Sequence, residues 1–274
     1  MTASDAEPHT EPDAIELGVA VPATVEQAWD AVVGLPDVRV WLEPARVESR
    51  ADNTIAVATG LGDAVRVVGC EPPHLLVTEA DAVVAGRDAV LTTTWRVEPH
   101  EAGAAMDRET AVRVTTTGLG AAAGQEPGTA LRERSATALS TLAVHLRHFA
   151  GRTGVGVHAW GPSRGRTADS GHERAHARFL AQVGILVPRQ PLTIFRGVPR
   201  LTGTCLERRA GHHHSAALLL LDGPAPGVAT LATTGTDPVH EVRAVLYGGP
   251  DGDGSTAEIA ERLSAQWSSW LAQP

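Results

Sequence analysis

The stretch Ile15–Pro44, IELGVAVPATVEQAWDAVVGLPDVRVWLEP, decides the fold predicted for this chain. Its first seven residues alternate apolar side chains with glutamate, glycine and alanine, which predicts a strand with one buried face. Pro22 ends that strand because proline has no N–H to donate to a neighbouring strand. The stretch therefore begins with a strand and a turn.

A short amphipathic helix follows the turn. Thr24 is a favourable N-cap, and Gln27 stands three residues later, as a capping box requires. Gly34 ends the helix and Pro36 opens the next turn. Four apolar residues then share one helical face: Val25, Ala28, Trp29 and Val32.

Working outward, short alternating segments separated by turn residues predict an antiparallel meander. These segments are Ala45–Ser49, Thr54–Thr59, Ala64–Cys70, Leu75–Glu79, Ala89–Val97 and Ala111–Thr117. A long helix is predicted next, over Pro127–Ala150, with one stripe centred on Leu142. The stripe comprises Leu131, Ser135, Ala138, Leu139, Leu142, Leu146 and Phe149. Because a stripe of this kind must pack against a large partner, we expect the helix to lie on the sheet.

This order of elements resembles the START-like (Bet v 1-like, SRPBCC) superfamily, in particular the branch similar to the activator of the Hsp90 ATPase. The resemblance rests on Pro22, the Ala28–Trp29 pair and Trp41, on Glu71–Pro72–Pro73, and on the strand at 110–114. It covers Ile15 to Ala150 and implies an α+β helix-grip fold, in which a curved antiparallel sheet wraps around a long C-terminal helix. It also implies a ligand cavity between that helix and the sheet.

The second half echoes the first. Ala177–Gly184 parallels Ala28–Gly34 with one extra residue, and the helix Ser255–Ala272 carries its own apolar stripe around Leu263. Strands are predicted at Leu192–Arg196, Thr202–Arg208, Ser215–Leu221, Val228–Thr234 and Glu241–Tyr247. We predict a disordered tail at 1–12, a helix-grip domain at 13–150, a linker at 151–170 and a degenerate second copy at 171–274. The alternative is an unrelated α+β extension.

Composition narrows the functional classes. The chain has 274 residues, a net charge of −9 and a pI near 5.7, and it lacks a long basic run, so nucleic-acid binding is not expected. No apolar run is long enough for a membrane span and no signal-peptide pattern is present, so we expect a cytoplasmic protein. Cys70 and Cys205 form no CxxC motif, and whether they are bridged is left open.

Candidate binding residues are polar or aromatic groups on predicted cavity-facing elements. His145 lies at the edge of the stripe around Leu142, and Trp41 is expected near the cavity mouth if it follows the resemblance. Arg66, Glu79, Trp95 and Arg113 lie in predicted strands. Strand parity places Leu91, Thr93 and Trp95 on one face, and Arg113, Thr115 and Thr117 on one face, without saying which face is inside. His145 could equally be a rim histidine bonded to backbone or water.

Other motifs give weaker signals. His212 and His214 could share a strand face and bind a metal, but the triplet His212–His213–His214 follows Ala210–Gly211, where a solvated turn is expected. No P-loop, HExxH, nucleophile elbow or dinucleotide-binding glycine pattern is present, and no cofactor is predicted.

Together with the absence of catalytic motifs, the resemblance therefore implies a protein that binds a lipophilic small molecule, such as a polyketide, for carriage, sequestration or self-resistance. The first alternative is an aromatase/cyclase-type enzyme in which His145 or Arg113 assists proton transfer or enolate stabilisation. The second alternative is an Hsp90 co-chaperone-like protein. Catalysis and oligomeric state are left open.

Overall fold

A computed structural model describes most of the chain. It covers residues 14–33, 46–49, 55–58, 64–84, 86–100, 109–163, 172–185, 187–192, 195–235, 237–248 and 254–273. The predicted tail at 1–12 and Trp41 lie outside these residues. Within them, the chain forms two units, each built from an antiparallel sheet and helices.

The first unit begins with β1 and α1, as the opening stretch predicts. Thr24 and Gln27 cap α1 reciprocally, because each backbone N–H donates to the other side chain, at 3.1 and 3.3 Å. The unit comprises β1 (Ile15–Val21), α1 (Val25–Val33), β2 (Arg46–Ser49), β3 (Ile55–Ala58), β4 (Ala64–Glu71), β5 (Leu75–Val84), β6 (Arg87–Pro99), β7 (Thr110–Thr117), a 3₁₀ turn (Gly120–Gly124) and α2 (Glu126–Phe149).

The seven described strands of this unit pair in the order β1-β7-β6-β5-β4-β3-β2. The first strand therefore pairs with the last, and the remainder is the predicted meander. Val112 and Val114 of β7 face α2, where they pack with Trp95 and with Leu142. Side chains along a strand alternate between the two faces of the sheet. The pairing register therefore fixes which side chains of each neighbouring strand face α2.

The second unit repeats this arrangement. It comprises β8 (Gly154–Pro162), α3 (His172–Gln182), β9 (Thr202–Arg209), β10 (His214–Gly223), β11 (Gly227–Thr234), β12 (Val239–Tyr247) and α4 (Gly254–Leu271). Its five described strands pair in the order β8-β12-β11-β10-β9, again with the first strand beside the last. A strand, a helix, a meander and a long helix thus occur twice, so the fold is a duplicated helix-grip α+β fold.

The predicted linker and one predicted strand of the second unit differ from the structure. The segment 151–170, predicted to be a linker that could hold a short strand at Val155–Trp160, contains β8, which pairs along its length with β12. The strand predicted at Leu192–Arg196 does not form in its described residues, where the sheet has only an isolated bridge between Pro191 and Thr204. Gly197, with φ of 82°, instead turns the chain before β9.

α2 is shared by both units. One face, including Leu139, Leu142 and Leu146, packs on the first sheet. A second face, which carries Val144 and Phe149, packs on the outer face of β10, β11 and β12. α2 is thus buried between two sheets, while α3 and α4 cover the opposite face of the second sheet.

Candidate functional site

The inner face of the first sheet forms the floor of the helix-grip interior. Side chains of β5, β6 and β7 that project toward α2 are Leu76, Thr78, Leu91, Thr93, Trp95, Val114 and Thr116. Leu76 and Leu91 are only half-buried although they face the helix, so apolar surface remains accessible on this floor. A surface of this kind suits an apolar ligand.

Three threonines place a band of hydroxyl groups across this floor. Thr78 Oγ1 donates to the carbonyl oxygen of Thr93 at 3.4 Å. The hydroxyls of Thr93 and Thr116 lie 3.3 Å apart and hydrogen-bond to each other. The band gives an otherwise apolar floor both donors and acceptors.

Trp95 of β6 places a buried polar group, its indole N–H, on this floor. It pairs with Leu76 on β5 and Val114 on β7, and its side chain is 5% exposed. The indole Nε1 is buried and has no hydrogen-bond partner among the described residues. A buried donor without an acceptor is destabilising by about 1–3 kcal/mol, and the indole Nε1 of Trp267 in the second unit is likewise without a hydrogen-bond partner among the described residues.

The predicted site residues divide into three groups. Trp95 and Leu142 both lie in the core between the sheet and α2. Trp41 lies outside the described residues. The remaining four, Arg66, Glu79, Arg113 and His145, lie outside this core.

Arg66, Glu79 and Arg113 project from the outer face of the first sheet, so their prediction as cavity-lining residues is not supported by their position. Arg66 pairs with Glu79 across β4 and β5, with 3.7 Å between side-chain nitrogen and oxygen. Arg113 lies 3.9 Å from Glu16 and its side chain is 56% exposed. Alternation with Val112 and Val114, which face α2, forces Arg113 outward.

His145 faces the second unit instead of the first sheet, which corrects its predicted place at the cavity edge. Its Nδ1 is hydrogen-bonded to the hydroxyl of Tyr247 at 2.5 Å, and its side chain is 1% exposed. Burial lowers the pKa of His145 from its usual 6.5 to about 4. The residue is therefore a neutral part of the junction between the units.

The interior of the second unit is filled by side chains. Trp267 of α4 is fully buried and meets Trp270 edge to face at a centroid distance of 5.4 Å. The cavity beside Trp267, Leu219 and Leu231 measures only about 20 Å³. The described interior of the second unit is therefore closely packed.

The triplet His212–His213–His214 forms a turn that binds Glu133 of α2. The three backbone N–H groups donate to the Glu133 carboxylate at 2.8, 2.9 and 2.8 Å. Burial opposes ionisation of Glu133, but these three bonds hold its pKa below the usual value. No group of three or more potential metal ligands occurs among the described residues.

The threonine band was missed by the sequence analysis, although the sequence carries a signal. Thr92–Thr94 and Thr115–Thr117 are runs of threonine within strands, so every second hydroxyl must project inward. The pairing register then decides which threonine hydroxyls lie side by side, because Thr93 pairs with Thr116 on β7 and with Thr78 on β5.

The described residues thus form two helix-grip α+β units in tandem. No family model matches the chain, and no curated protein matches it in sequence. No described helix is long and apolar enough to cross a membrane.

Several solved structures are similar in fold. DynU16, from the dynemicin biosynthetic locus, is 16% identical over 95% of this chain and 97% of its own, with a TM-score of 0.37. BexL, a di-domain aromatase/cyclase of the BE-7585A biosynthetic pathway, is 14% identical over 95% of this chain and 99% of its own, with a TM-score of 0.39. Aha1 from Colwellia psychrerythraea is 15% identical over 49% of this chain and 96% of its own, with a TM-score of 0.39.

Proposed function

We propose that the first unit binds a lipophilic small molecule that carries a carbonyl or similar oxygen acceptor, between its sheet and α2. The observation that carries the proposal is the buried indole N–H of Trp95, which has no partner among the described residues. Half-buried Leu76 and Leu91 supply apolar contact, and the threonine band supplies further polar contacts. Aromatic polyketides have this combination of a flat apolar body and keto oxygens, and sequestration or carriage of such a compound is the role we propose.

Neither alternative from the sequence is favoured by the described residues. The cyclase hypothesis needs His145 or Arg113 beside a bound polyketone. His145 instead contacts Tyr247, and Arg113 lies on the exposed outer face. The co-chaperone hypothesis has no feature of the described surface to support it.

A matched pair of ligands tests the proposal. Anthraquinone and anthracene share a ring skeleton, but only anthraquinone has carbonyl acceptors. We expect saturable binding of both and a preference of about tenfold for anthraquinone, because one hydrogen bond contributes about 1 kcal/mol or slightly more. Equilibrium dialysis with each compound would measure the two affinities.

Two variants locate the binding site. Trp95→Phe keeps an aromatic ring but removes the N–H, so it should abolish the preference for anthraquinone while retaining affinity for anthracene. Trp160→Phe is the control, because Trp160 is 66% exposed on the second unit. The absence of saturable binding by either compound, or an unchanged preference in Trp95→Phe, would count against the proposal.

A further inference from the structure

The threonine band of the first unit leaves one hydroxyl hydrogen without an acceptor among the described residues. The hydroxyl of Thr78 is already bonded to the carbonyl oxygen of Thr93 at 3.4 Å. The hydroxyls of Thr93 and Thr116 lie 3.3 Å apart, and either one can be the donor. Because each hydroxyl carries a single hydrogen, one of the two donates within the pair, and the other keeps a hydrogen that no described residue accepts.

Burial decides which threonine of the pair keeps the spare hydrogen. Thr116 is 5% exposed, whereas Thr93 is only half-buried. If Thr93 donated to Thr116, the hydrogen of the Thr116 hydroxyl would be buried without an acceptor, which is destabilising. The favoured arrangement is therefore the reverse one, in which Thr116 donates to Thr93. The Thr93 hydroxyl then donates into the space between the floor and α2.

The Thr93 hydroxyl and the Trp95 indole are two donors on the same face of β6. They are two residues apart in an antiparallel strand, so their side chains leave the backbone about 7 Å apart. Half-buried Leu91 continues this face beyond Thr93, and half-buried Leu76 lies beside Trp95 on β5. Two donors at this spacing on an apolar floor can reach two different oxygen atoms of one fused-ring molecule.

The floor around these donors carries no charged side chain among its described residues. The charged groups of these strands project from the opposite face of the sheet, where Arg66 pairs with Glu79 and Arg113 with Glu16. A carboxylate on the floor would lose its hydration without gaining a cation, which is strongly unfavourable. The oxygen that accepts from Thr93 therefore belongs to a neutral group. A hydroxyl suits this place, because it can accept from Thr93 and also donate to a threonine oxygen.

We propose that Thr93 is a specificity-determining residue, which selects ligands that carry a neutral hydroxyl group in addition to the oxygen that accepts from Trp95. The inference rests on the function proposed above and narrows its ligand class to hydroxylated aromatic ketones. Thr93 donates to the hydroxyl oxygen of the ligand. Thr116 is a positioning residue, because its own hydrogen bond holds the Thr93 hydroxyl in the donating orientation.

Two hydroxylated anthraquinones test this proposal with the full chain. In equilibrium dialysis, the tighter-binding of 1-hydroxyanthraquinone and 2-hydroxyanthraquinone should have about tenfold higher affinity than anthraquinone, because it makes one more hydrogen bond. Thr93→Val should remove this gain and keep the preference for anthraquinone over anthracene. Trp95→Phe should do the opposite. Thr92→Val is the matched control and should keep both, because Thr92 projects from the opposite face of β6.

Thr116 and a charged ligand provide two further tests. Thr116→Val should reduce the gain from the hydroxyl, and Thr116→Ser, which keeps a hydroxyl, should restore it. Anthraquinone-2-carboxylate should bind wild type more weakly than anthraquinone does, and the affinity of each variant for anthracene shows that its floor is intact. The absence of a gain in both hydroxylated isomers, or an undiminished gain in Thr93→Val, would overturn this inference but not the function proposed above. The absence of saturable binding by every compound would overturn both.

Discussion

Single residues show how burial controls charge in this protein. His145 and His214 both lie at the junction of the units, and burial lowers the pKa of each to about 4. The folded protein therefore favours the neutral rings, whereas the unfolded chain binds protons near pH 6.5. The stabilising contribution is complete above pH 6.5 and is lost as the pH falls from 6.5 through 4.

This loss of stability at acidic pH predicts how one substitution changes the pH dependence of the unfolding free energy. Each shift corresponds to about 3 kcal/mol of unfolding free energy between neutral pH and pH 4. His145→Gln should flatten the decline of unfolding free energy between pH 6.5 and 4, because one proton-binding group is removed. Urea denaturation at several pH values measures the slope. Exposed His100→Gln is the control, and equal slopes for wild type and His145→Gln would contradict the assignment.

Residue-level predictions from the sequence were right for local geometry but did not give the face of the sheet to which a side chain projects. The reciprocal cap of Thr24 and Gln27 was predictable because both partners lie within one turn. Parity grouped Arg113 with Thr115 but left the face open. Val112 and Val114 could have decided it, since apolar neighbours of Arg113 occupy the buried face.

At the scale of elements, α2 explains most of the architecture. The predicted stripe packs on the first sheet through Leu139, Leu142 and Leu146. Phe149, which was predicted in that stripe, instead ends a second row at four-residue spacing that faces the second sheet. This row comprises Glu133, Thr137, Thr141, His145 and Phe149. Thr141 is bonded to Thr230 at 3.3 Å, and Glu133 to the histidine turn. The other four members of the row were not predicted because they are polar, and a search for hydrophobic periodicity does not detect polar residues.

The strands of the second unit carried a clearer signal of the same contact. Leu218–Leu221 is a continuous apolar run, which is typical of a strand buried on both faces. In the structure, Leu219 and Leu221 face α3 and α4, while Leu218 and Leu220 face α2. The first sheet differs, because its outer face carries exposed Arg66, Arg96 and Arg113.

The link between α2 and the histidine turn gives an element-level prediction. Glu133→Ala removes the acceptor of three backbone N–H groups, and should lower the unfolding free energy by about 2–3 kcal/mol. Arg132→Ala is the matched control, because Arg132 is the neighbouring exposed residue on α2. Chemical denaturation of both variants measures the difference. A loss no greater than that of Arg132→Ala would contradict the role assigned to Glu133.

At the scale of the whole molecule, the shared helix should make the two units unfold together. Phe149 of α2 stacks on Tyr247 of β12 with a centroid distance of 4.2 Å and an interplanar angle of 12°. Phe149→Ala should lower stability by about 3–5 kcal/mol while leaving a single transition. Far-UV circular dichroism and tryptophan fluorescence should report the same midpoint.

The control for that experiment is Val68→Ala, since Val68 is a half-exposed residue of the first sheet. Two separate unfolding transitions in Phe149→Ala, of which only one has a midpoint different from that of wild type, would show that the units unfold independently. Such a result would contradict the shared role of α2.

The proposed ligand site lies in the first unit and not in the second. The six tryptophan indole N–H groups can be followed in a ¹H–¹⁵N spectrum of the full chain during titration with anthraquinone. Trp95→Phe assigns the signal of Trp95. We expect a saturable shift of the Trp95 signal, with the Trp267 and Trp270 signals unchanged. A shift of the Trp267 signal without a shift of the Trp95 signal would contradict it.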